Sequence, residues 1–161
     1  MLFRSVTAVT VAVAGPRGSW TGEHPGGGTV SVVGPGGDVT GIGVTLSSPD
    51  PQRLVAFYRD VLGFEATGPL AVRCGETPLA VVEGPGGTPT DDVVGPGYRY
   101  LTVQVHDVDH EIDEVLRRGG RLLRAPAFVA GVARIGFVAD PDGTWIELSA
   151  RASLTGIRIP P

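Results

Sequence analysis

The stretch Ile135-Gly-Phe-Val-Ala-Asp-Pro-Asp-Gly-Thr-Trp-Ile-Glu-Leu-Ser149 predicts a β-hairpin and determines the fold. Its centre, Asp140-Pro-Asp-Gly143, is a turn, because proline presets φ, aspartate bonds nearby backbone groups and glycine accepts a positive φ. Apolar, strand-like runs flank the turn on both sides. Side chains in the second run alternate between two faces. The Ile146 and Leu148 face is typical of a core, and the opposite face, with Trp145, Glu147 and Ser149, suggests a cavity wall.

Length and composition are those of one globular domain. The chain has 161 residues, a net charge of −4 and one cysteine. No basic stripe with interleaved aromatic residues is present, which argues against a nucleic-acid partner. A single cysteine excludes an internal disulfide framework and a cysteine metal cluster. No apolar run approaches the roughly 18 residues of a membrane span. We therefore expect a cytoplasmic protein that binds neither nucleic acid nor membrane.

Two segments repeat the same pattern of a strand, a helix and three strands. The first has a strand at 41–48 and a helix that begins after the N-cap Asp50. The second has a strand at 98–105 and a helix that begins after the N-cap Asp107, 57 residues later. Each helix ends at a glycine. Such an internal repeat indicates two units that pair, with space for a ligand between them.

The rest of the chain is an appendage, a linker and a tail. Residues 1–40 predict an N-terminal β-hairpin, or a strand added to the main sheet, interrupted by loops rich in glycine and proline. The main domain, 41–151, divides into module one (41–84), a turn-rich linker (85–98) and module two (99–151). Residues 152–161 are a C-terminal tail.

Four motifs carry a family likeness: GIGVTLSSPDP (41–51), FYRDVLGF (57–64), LTVQVHDVD (101–109) and FVADPDGTWIEL (137–148). Together they resemble the vicinal oxygen chelate superfamily, also called the glyoxalase/bleomycin resistance protein/extradiol dioxygenase family. The resemblance covers about residues 40–150. It implies an α+β fold in which two βαβββ modules pair into an open curved sheet, here with an extra N-terminal β segment. Members often dimerise through sheet edges, so the resemblance also implies a homodimer.

The chain departs from the family at the metal ligands. Members often hold a divalent metal with histidine and glutamate side chains, and the resemblance places the two histidine positions at Gly43 and Tyr100. Glu147 remains, with Glu83 as the nearest candidate for a further ligand. Glycine offers no side-chain ligand, and tyrosine is a poor one for common divalent ions. We therefore expect no cofactor and no metal site of the family type, Glu147 and Glu83 being the sole candidate ligands.

The inward strand faces predict a roomy pocket with an aromatic wall. Gly43 leaves room where the family has a histidine, and the other side chains suit a stacked, flat molecule fixed by a few hydrogen bonds. The predicted ligand-binding residues are Gly43, Thr45, Ser47, Tyr100, Thr102, Gln104, Trp145, Glu147 and Ser149. The alternative is a mixed core that the chain closes on itself. Both interpretations stay open for Thr45, Ser47 and Thr102.

Three functions fit this pocket. The first is metal-independent binding of a small organic ligand, such as an aromatic compound or natural product, as in drug-sequestering antibiotic-resistance proteins. The second is a cofactor-free isomerase, cyclase or lyase with Glu147 as base and Tyr100 as acid, because an apolar cup raises the pKa of a carboxylate. The third is a metal-dependent glyoxalase or extradiol dioxygenase with displaced ligands. A non-catalytic interaction module is a fourth hypothesis.

Overall fold

The computed structural model describes two β-sheets with helices packed between them. The described residues are 6–12, 20–23, 29–33, 39, 41–86, 100–129, 131–156 and 158. The predicted linker beyond Gly86 and most of the predicted C-terminal tail beyond Gly156 lie outside these residues, as do the loops of the N-terminal appendage.

The elements follow one another in the predicted order. The strands are β1 (Val6–Ala12), β2 (Trp20–Glu23), β3 (Thr29–Val33), β4 (Ile42–Ser48), β5 (Glu65–Gly68), β6 (Ala71–Cys74), β7 (Thr77–Glu83), β8 (Tyr100–Gln104), β9 (Arg121–Val129), β10 (Ala133–Ala139) and β11 (Trp145–Arg151). The helices are α1 (Pro51–Ala56), which continues as a π-helical segment (Phe57–Val61), α2 (Val108–Arg117) and α3 (Ala152–Thr155).

Both predicted helix starts are confirmed at the level of the capping bond. Asp50 Oδ1 accepts a hydrogen bond of 3.1 Å from the Arg53 amide, and Asp107 Oδ1 accepts one of 3.1 Å from the His110 amide. These bonds satisfy amides that a helix leaves unpaired at its first turn. The glycine after the first helix, Gly63, has φ +75°, the left-handed conformation that terminates helices.

One predicted strand boundary is wrong. The apolar pattern of the sequence predicts two separate strands, at 121–123 and 128–132, but β9 runs unbroken over Arg121–Val129 and the chain then turns before β10. β9 lies at the edge of its sheet, where Pro126 is tolerated because no neighbouring strand need accept a bond from its nitrogen.

Module one and module two have the same strand order but lie in different sheets. Sheet two has the order β8-β11-β10-β9, and sheet one has the corresponding order β4-β7-β6-β5, extended by the N-terminal strands as β2-β3-β1-β4-β7-β6-β5. In each module the first strand pairs in parallel with the last. The α+β fold of two βαβββ modules with extra N-terminal strands is thus confirmed.

The strand β1 determines how the modules are arranged. It pairs antiparallel with β4, from Val6 opposite Leu46 to Val11 opposite Ile42. Because β7 occupies the other edge of β4, β8 has no edge of β4 to join. The expected joining of the two modules into one curved sheet is therefore replaced, among the described strands, by two separate sheets.

The two modules share one core through their helix-covered faces. Leu46 of β4, Leu54 of α1, Ile112 of α2 and Ile146 of β11 belong to the same buried cluster. Helix α2 lies so close to β10 that a Cβ on Gly136 would stand 2.4 Å from Ile112 Cδ1. The helix-free faces of the two sheets therefore point away from this common core.

A buried hydrogen bond joins module one to the hairpin turn of module two. The hydroxyl of Tyr58, which is fully buried, donates to Asp140 Oδ2 over 3.2 Å. Asp140 Oδ1 accepts the amides of Asp142 and Thr144 at 2.9 and 2.8 Å, which fixes the turn. Burial raises the pKa of Asp140 from 3.8 to about 6, although the bonds from Thr144 and Tyr58 oppose the rise.

We predict that the unfolding free energy of Asp140→Asn depends less on pH than that of the wild type between about pH 4 and pH 6. The raised pKa of Asp140 means that the folded chain holds a proton that the unfolded chain releases between about pH 4 and pH 6. The wild type should lose on the order of 2 kcal/mol of unfolding free energy over that range through this group. Asparagine keeps the oxygen that accepts the turn amides and has no such loss.

Urea unfolding of both proteins at steps from about pH 4 to pH 7 measures the difference. Tyr58→Phe is the matched control, because loss of the phenol bond raises the pKa of Asp140 further and moves the loss to higher pH. If the difference in unfolding free energy between the wild type and Asp140→Asn stays constant with pH, the prediction is contradicted.

Candidate functional site

Six of the predicted site residues lie together on the helix-free face of sheet two. The parallel register of β8 and β11 places them in three cross-strand pairs: Tyr100 with Trp145, Thr102 with Glu147, and Gln104 with Ser149. Ile146 and Leu148 point the other way, into the shared core. The alternation predicted from the sequence therefore holds residue by residue in module two.

The face has a buried row and an exposed row. Trp145, Glu147 and Ser149 are 4%, 8% and 1% exposed, whereas Tyr100 is 41% exposed. Thr102 and Gln104, on the same edge strand as Tyr100, are also exposed. The chain itself thus covers much of the predicted pocket floor, and a ligand would meet the β8 side chains first.

An aromatic cluster extends across three strands of this face. The ring centroids of Tyr100 and Phe137 are 5.7 Å apart at 84°, and those of Phe137 and Trp145 are 5.5 Å apart at 65°. Edge-to-face contacts of this kind are favourable beyond their buried area. Sequence reasoning missed Phe137, although the predicted hairpin could have placed it, since it stands directly opposite Glu147 in the register.

A guanidinium group lies over the aromatic cluster. Arg124 Cζ is 5.1 Å from the ring centroid of Trp145 and 6.0 Å from that of Phe137, within cation–π range. Arg124 is exposed and forms no ion pair with any residue that the structure describes. Sequence reasoning missed this residue because it split β9 at that point. The face therefore offers an aromatic surface next to a positive charge that no described carboxylate neutralises.

The carboxyl group of Glu147 lies beneath the exposed row. Burial raises its pKa above the ordinary value, while the nearby Ser149 hydroxyl and the charge of Arg151 work in the opposite direction. A carboxyl with a raised pKa can accept a proton from a bound molecule or donate one to it.

The module-one members of the predicted set lie elsewhere. Gly43 and Thr45 border a separate concavity of about 610 Å³ on sheet one, together with Arg73, Pro78 and Ala80. Because β1 and β7 pair with both edges of β4, β8 does not pair with β4 in one sheet, and a cup shared by both sets of residues stays a prediction.

The space expected at Gly43 is already filled. A Cβ built on Gly43 would stand 2.9 Å from Val39 Cγ2 and 3.5 Å from Pro78 Cγ. Ser47 is also structural, since it is buried and its hydroxyl donates to the Pro85 carbonyl at 2.5 Å. Gly43 nevertheless borders the concavity on sheet one, so its role in ligand binding, like that of Ser47, stays a prediction.

The side chains present do not fit a metal site of the family type. Glu83 pairs with the buried Ser48 in the register and so faces the opposite way from Thr45, at an exposed strand end. Glu147 is on the other sheet. Within the described ranges no group of three or more histidine, cysteine, aspartate or glutamate residues could hold an ion. In the part of the chain that the structure describes, Glu83 and Glu147 therefore do not belong to a cluster of candidate ligands.

Known proteins share the sequence pattern and the fold of this chain. The sequence model of the Glyoxalase/Bleomycin resistance protein/Dioxygenase superfamily matches residues 42–148. No curated protein sequence matches the chain. In the described residues no helix is both long and apolar enough to cross a membrane.

Solved structures share the fold at low sequence identity. TioX from Micromonospora sp. ML1 is 21% identical with a TM-score of 0.53, over 67% of this chain and 95% of its own. A glyoxalase-related enzyme from Fulvimarina pelagi is 24% identical with a TM-score of 0.53, over 67% and 85%. A mutant of glyoxalase I from Zea mays is 19% identical with a TM-score of 0.64, over 91% and 67%.

The maize match reaches further along the chain than the other two. A coverage of 91% cannot be reached by residues 42–161 alone, so part of the N-terminal segment also has a counterpart in that structure. At these identities the likeness concerns the fold. It supports the N-terminal strands as part of the sheet architecture.

We predict that Ser149→Ala raises the pKa of Glu147 further. The hydroxyl lowers that pKa against the dominant effect of burial, and alanine cannot do so. Carbon-13 NMR of the labelled carboxyl measures the titration in both proteins. Ser149→Thr keeps a hydroxyl and serves as the control. A lower pKa in the alanine variant than in the wild type would contradict the described environment.

Proposed function

The chain belongs to the Glyoxalase/Bleomycin resistance protein/Dioxygenase superfamily, and we propose that it is a cytoplasmic, metal-independent member that binds a flat organic anion on the helix-free face of sheet two. An aromatic carboxylate or an acidic natural product has the required chemistry. Its ring would stack on Tyr100, and its anionic group would pair with Arg124. The proposal follows the hypothesis of a sequestering protein and narrows its ligand class.

One observation carries this proposal. The Arg124 guanidinium lies over Trp145 and Phe137 without a carboxylate partner among the described residues. A cation that stacks on aromatic rings keeps its N–H groups free at the edge, where a planar carboxylate can accept two bonds. The neighbouring exposed groups of Thr102 and Gln104 supply neutral hydrogen bonds that can orient the rest of the molecule.

The donor set supports metal independence. Gly43 and Tyr100 stand where the resemblance places the family's two histidine ligands. Val39 fills the space beside Gly43. Glu83 lies on sheet one and pairs with Ser48 in the register, whereas the other candidate ligand, Glu147, lies on sheet two. Two separated carboxylates bind a divalent ion too weakly for a resident cofactor. The hypothesis of a metal-dependent enzyme with displaced ligands therefore lacks support from the residues described.

A second candidate function rests on Glu147. Its raised pKa and its position one cross-strand row from Tyr100 suit a proton transfer on a bound molecule, as in an isomerase, cyclase or lyase. Glu147 would remove a proton and the Tyr100 phenol would donate one. The same ligand face serves both functions, so the two differ in whether the bound molecule changes.

We predict that Arg124 determines the preference for an anion. In isothermal titration calorimetry, 2-naphthoate should bind the wild type at least about tenfold more tightly than neutral 2-naphthamide, since a charge-assisted bond contributes about 1.5–3 kcal/mol. Arg124→Gln should remove that difference. Arg59→Gln, an exposed arginine of module one, should retain it. Equal affinities of the wild type for both probes, or a preference that survives in Arg124→Gln, would contradict the proposal.

We predict that a bound aromatic acid is released unchanged. Each compound that binds in an Arg124-dependent way is incubated with chelator-treated protein and followed by NMR. Conversion that Glu147→Gln abolishes while binding persists would establish the acid–base enzyme instead. Conversion that returns with added divalent metal alone would establish the metal-dependent hypothesis. Glu147→Asp is the matched control, because it keeps the carboxyl group.

A further inference from the structure

Two arginines of β9 lack the acidic partner that most described arginines have. The arginines that form ion pairs within the described ranges are Arg53, Arg59, Arg73, Arg117, Arg118 and Arg134. Arg121 and Arg124 form no ion pair with a described residue, and both are exposed. Two like charges on one short stretch of strand repel each other, and a bound anion would relieve that repulsion.

The spacing of these two arginines would separate them in a regular strand. Successive side chains point to opposite faces, so residues three apart in sequence lie on different faces. The pairing of β9 with β10 is irregular here. From Ala139 to Phe137, β10 advances by two residues. Over the same stretch β9 advances by three, from Arg121 to Arg124. Such an extra residue is a β-bulge.

The bulge places both arginine side chains on the helix-free face of sheet two. Arg124 pairs with Phe137, and Arg121 pairs with Ala139. Because Phe137 and Ala139 are two residues apart on β10, they share a face, and so do their partners. Arg124 Cζ lies 5.1 Å from the ring centroid of Trp145, which identifies this face as the one with the aromatic cluster. β-Bulges often re-aim a side chain beside a binding site.

The row of side chains that contains Arg121 leads to the aromatic surface. Across sheet two, this row consists of Arg121, Ala139, Trp145 and Tyr100. Ala139 has a single methyl group, so no large side chain separates Arg121 from Trp145 in this row. The row with Arg124 is the next one, about 7 Å further along the strands. Two acidic groups on one fused ring system can span such a distance.

A third arginine of this face acts on Glu147 instead. Arg151 pairs with Ala133 at the end of β11, in line with the helix-free residues of that strand. Burial raises the pKa of Glu147, and the charge of Arg151 works against that rise. No described carboxylate forms an ion pair with Arg121, so its charge is available to a bound molecule.

We propose that Arg121 is a second anion-binding residue of this face, and that the ligand is an aromatic molecule with two acidic groups. One acidic group pairs with Arg124 and the other with Arg121, each through charge-assisted hydrogen bonds to a planar guanidinium. The bulge in β9 sets the specificity, because it brings the second guanidinium to the ligand side. This inference rests on the proposed function and narrows its ligand class from an anion to a dianion.

The test compares a dianion with a monoanion in isothermal titration calorimetry. The wild type should bind naphthalene-2,6-dicarboxylate at least about tenfold more tightly than 2-naphthoate, since each charge-assisted bond contributes about 1.5–3 kcal/mol. Arg121→Gln should bind both probes with similar affinity. Arg121→Lys should keep part of the advantage, because it keeps the charge without the planar group. Arg117→Gln removes the same charge from the end of α2 and should keep the full advantage.

A relocated charge tests the role of the bulge. Arg121→Gln combined with Leu122→Arg restores the net charge one residue further along β9. Leu122 pairs with Val138, which is fully buried on the core side, so the new side chain would lie on the other face. The position is 38% exposed and can accommodate an arginine. The double variant should therefore not regain the preference for the dicarboxylate. Thermal unfolding of each variant checks that it is folded.

The outcomes separate this inference from the proposed function. Equal affinities of the wild type for both probes, an advantage that survives in Arg121→Gln, or one that the double variant regains would overturn the inference. Loss of the advantage in Arg117→Gln would do the same. If 2-naphthoate binds in an Arg124-dependent manner and the dicarboxylate binds no more tightly, the proposed function stands alone. If neither probe binds, both proposals fail.

Discussion

A β-strand has two edges, and in this molecule both edges of β4 are occupied. β7 lies on one side and β1 on the other. This constraint separates the two modules into different sheets, although their sequences repeat the same unit. It also places the predicted site residues of the two modules, which the repeat suggested would line one pocket, on different sheets. Gly43 and Thr45 face one concavity, whereas Trp145 and Glu147 belong to another surface.

The modules nevertheless form one folded body. Their helix-covered faces share a core, and a few polar contacts fix their orientation at its border. Tyr58 reaches from module one to Asp140 in the hairpin turn, and Arg53 of α1 pairs with Asp142 of the same turn. Removal of Tyr58 or Arg53 would take a partner from the buried carboxyl group of Asp140 or Asp142, which is costly. The turn thus closes a hairpin and also joins the two repeats.

Local features were predictable because their causes are local. The helix caps, the alternation in β11 and the repeat spacing all follow from residues close together in sequence. The partner of a strand edge depends on distant segments, so the sequence did not reveal that β1 would cover β4. Arg124 was missed because the apolar pattern predicts no strand between 123 and 128, whereas β9 runs through this stretch as an edge strand that accepts Pro126. At Gly43 an absent side chain was interpreted as space, while Val39 occupies it.

The packing of Val39 against Gly43 limits what evolution or design can recover at this position. A histidine introduced there would bring its Cβ within 2.9 Å of Val39 Cγ2 and 3.5 Å of Pro78 Cγ, so the side chain of Val39 would have to move. Its imidazole would also stand on sheet one, whereas the Glu147 carboxyl stands on sheet two. Trimming the valine would therefore make room for the ring without bringing the two candidate ligands into one sheet.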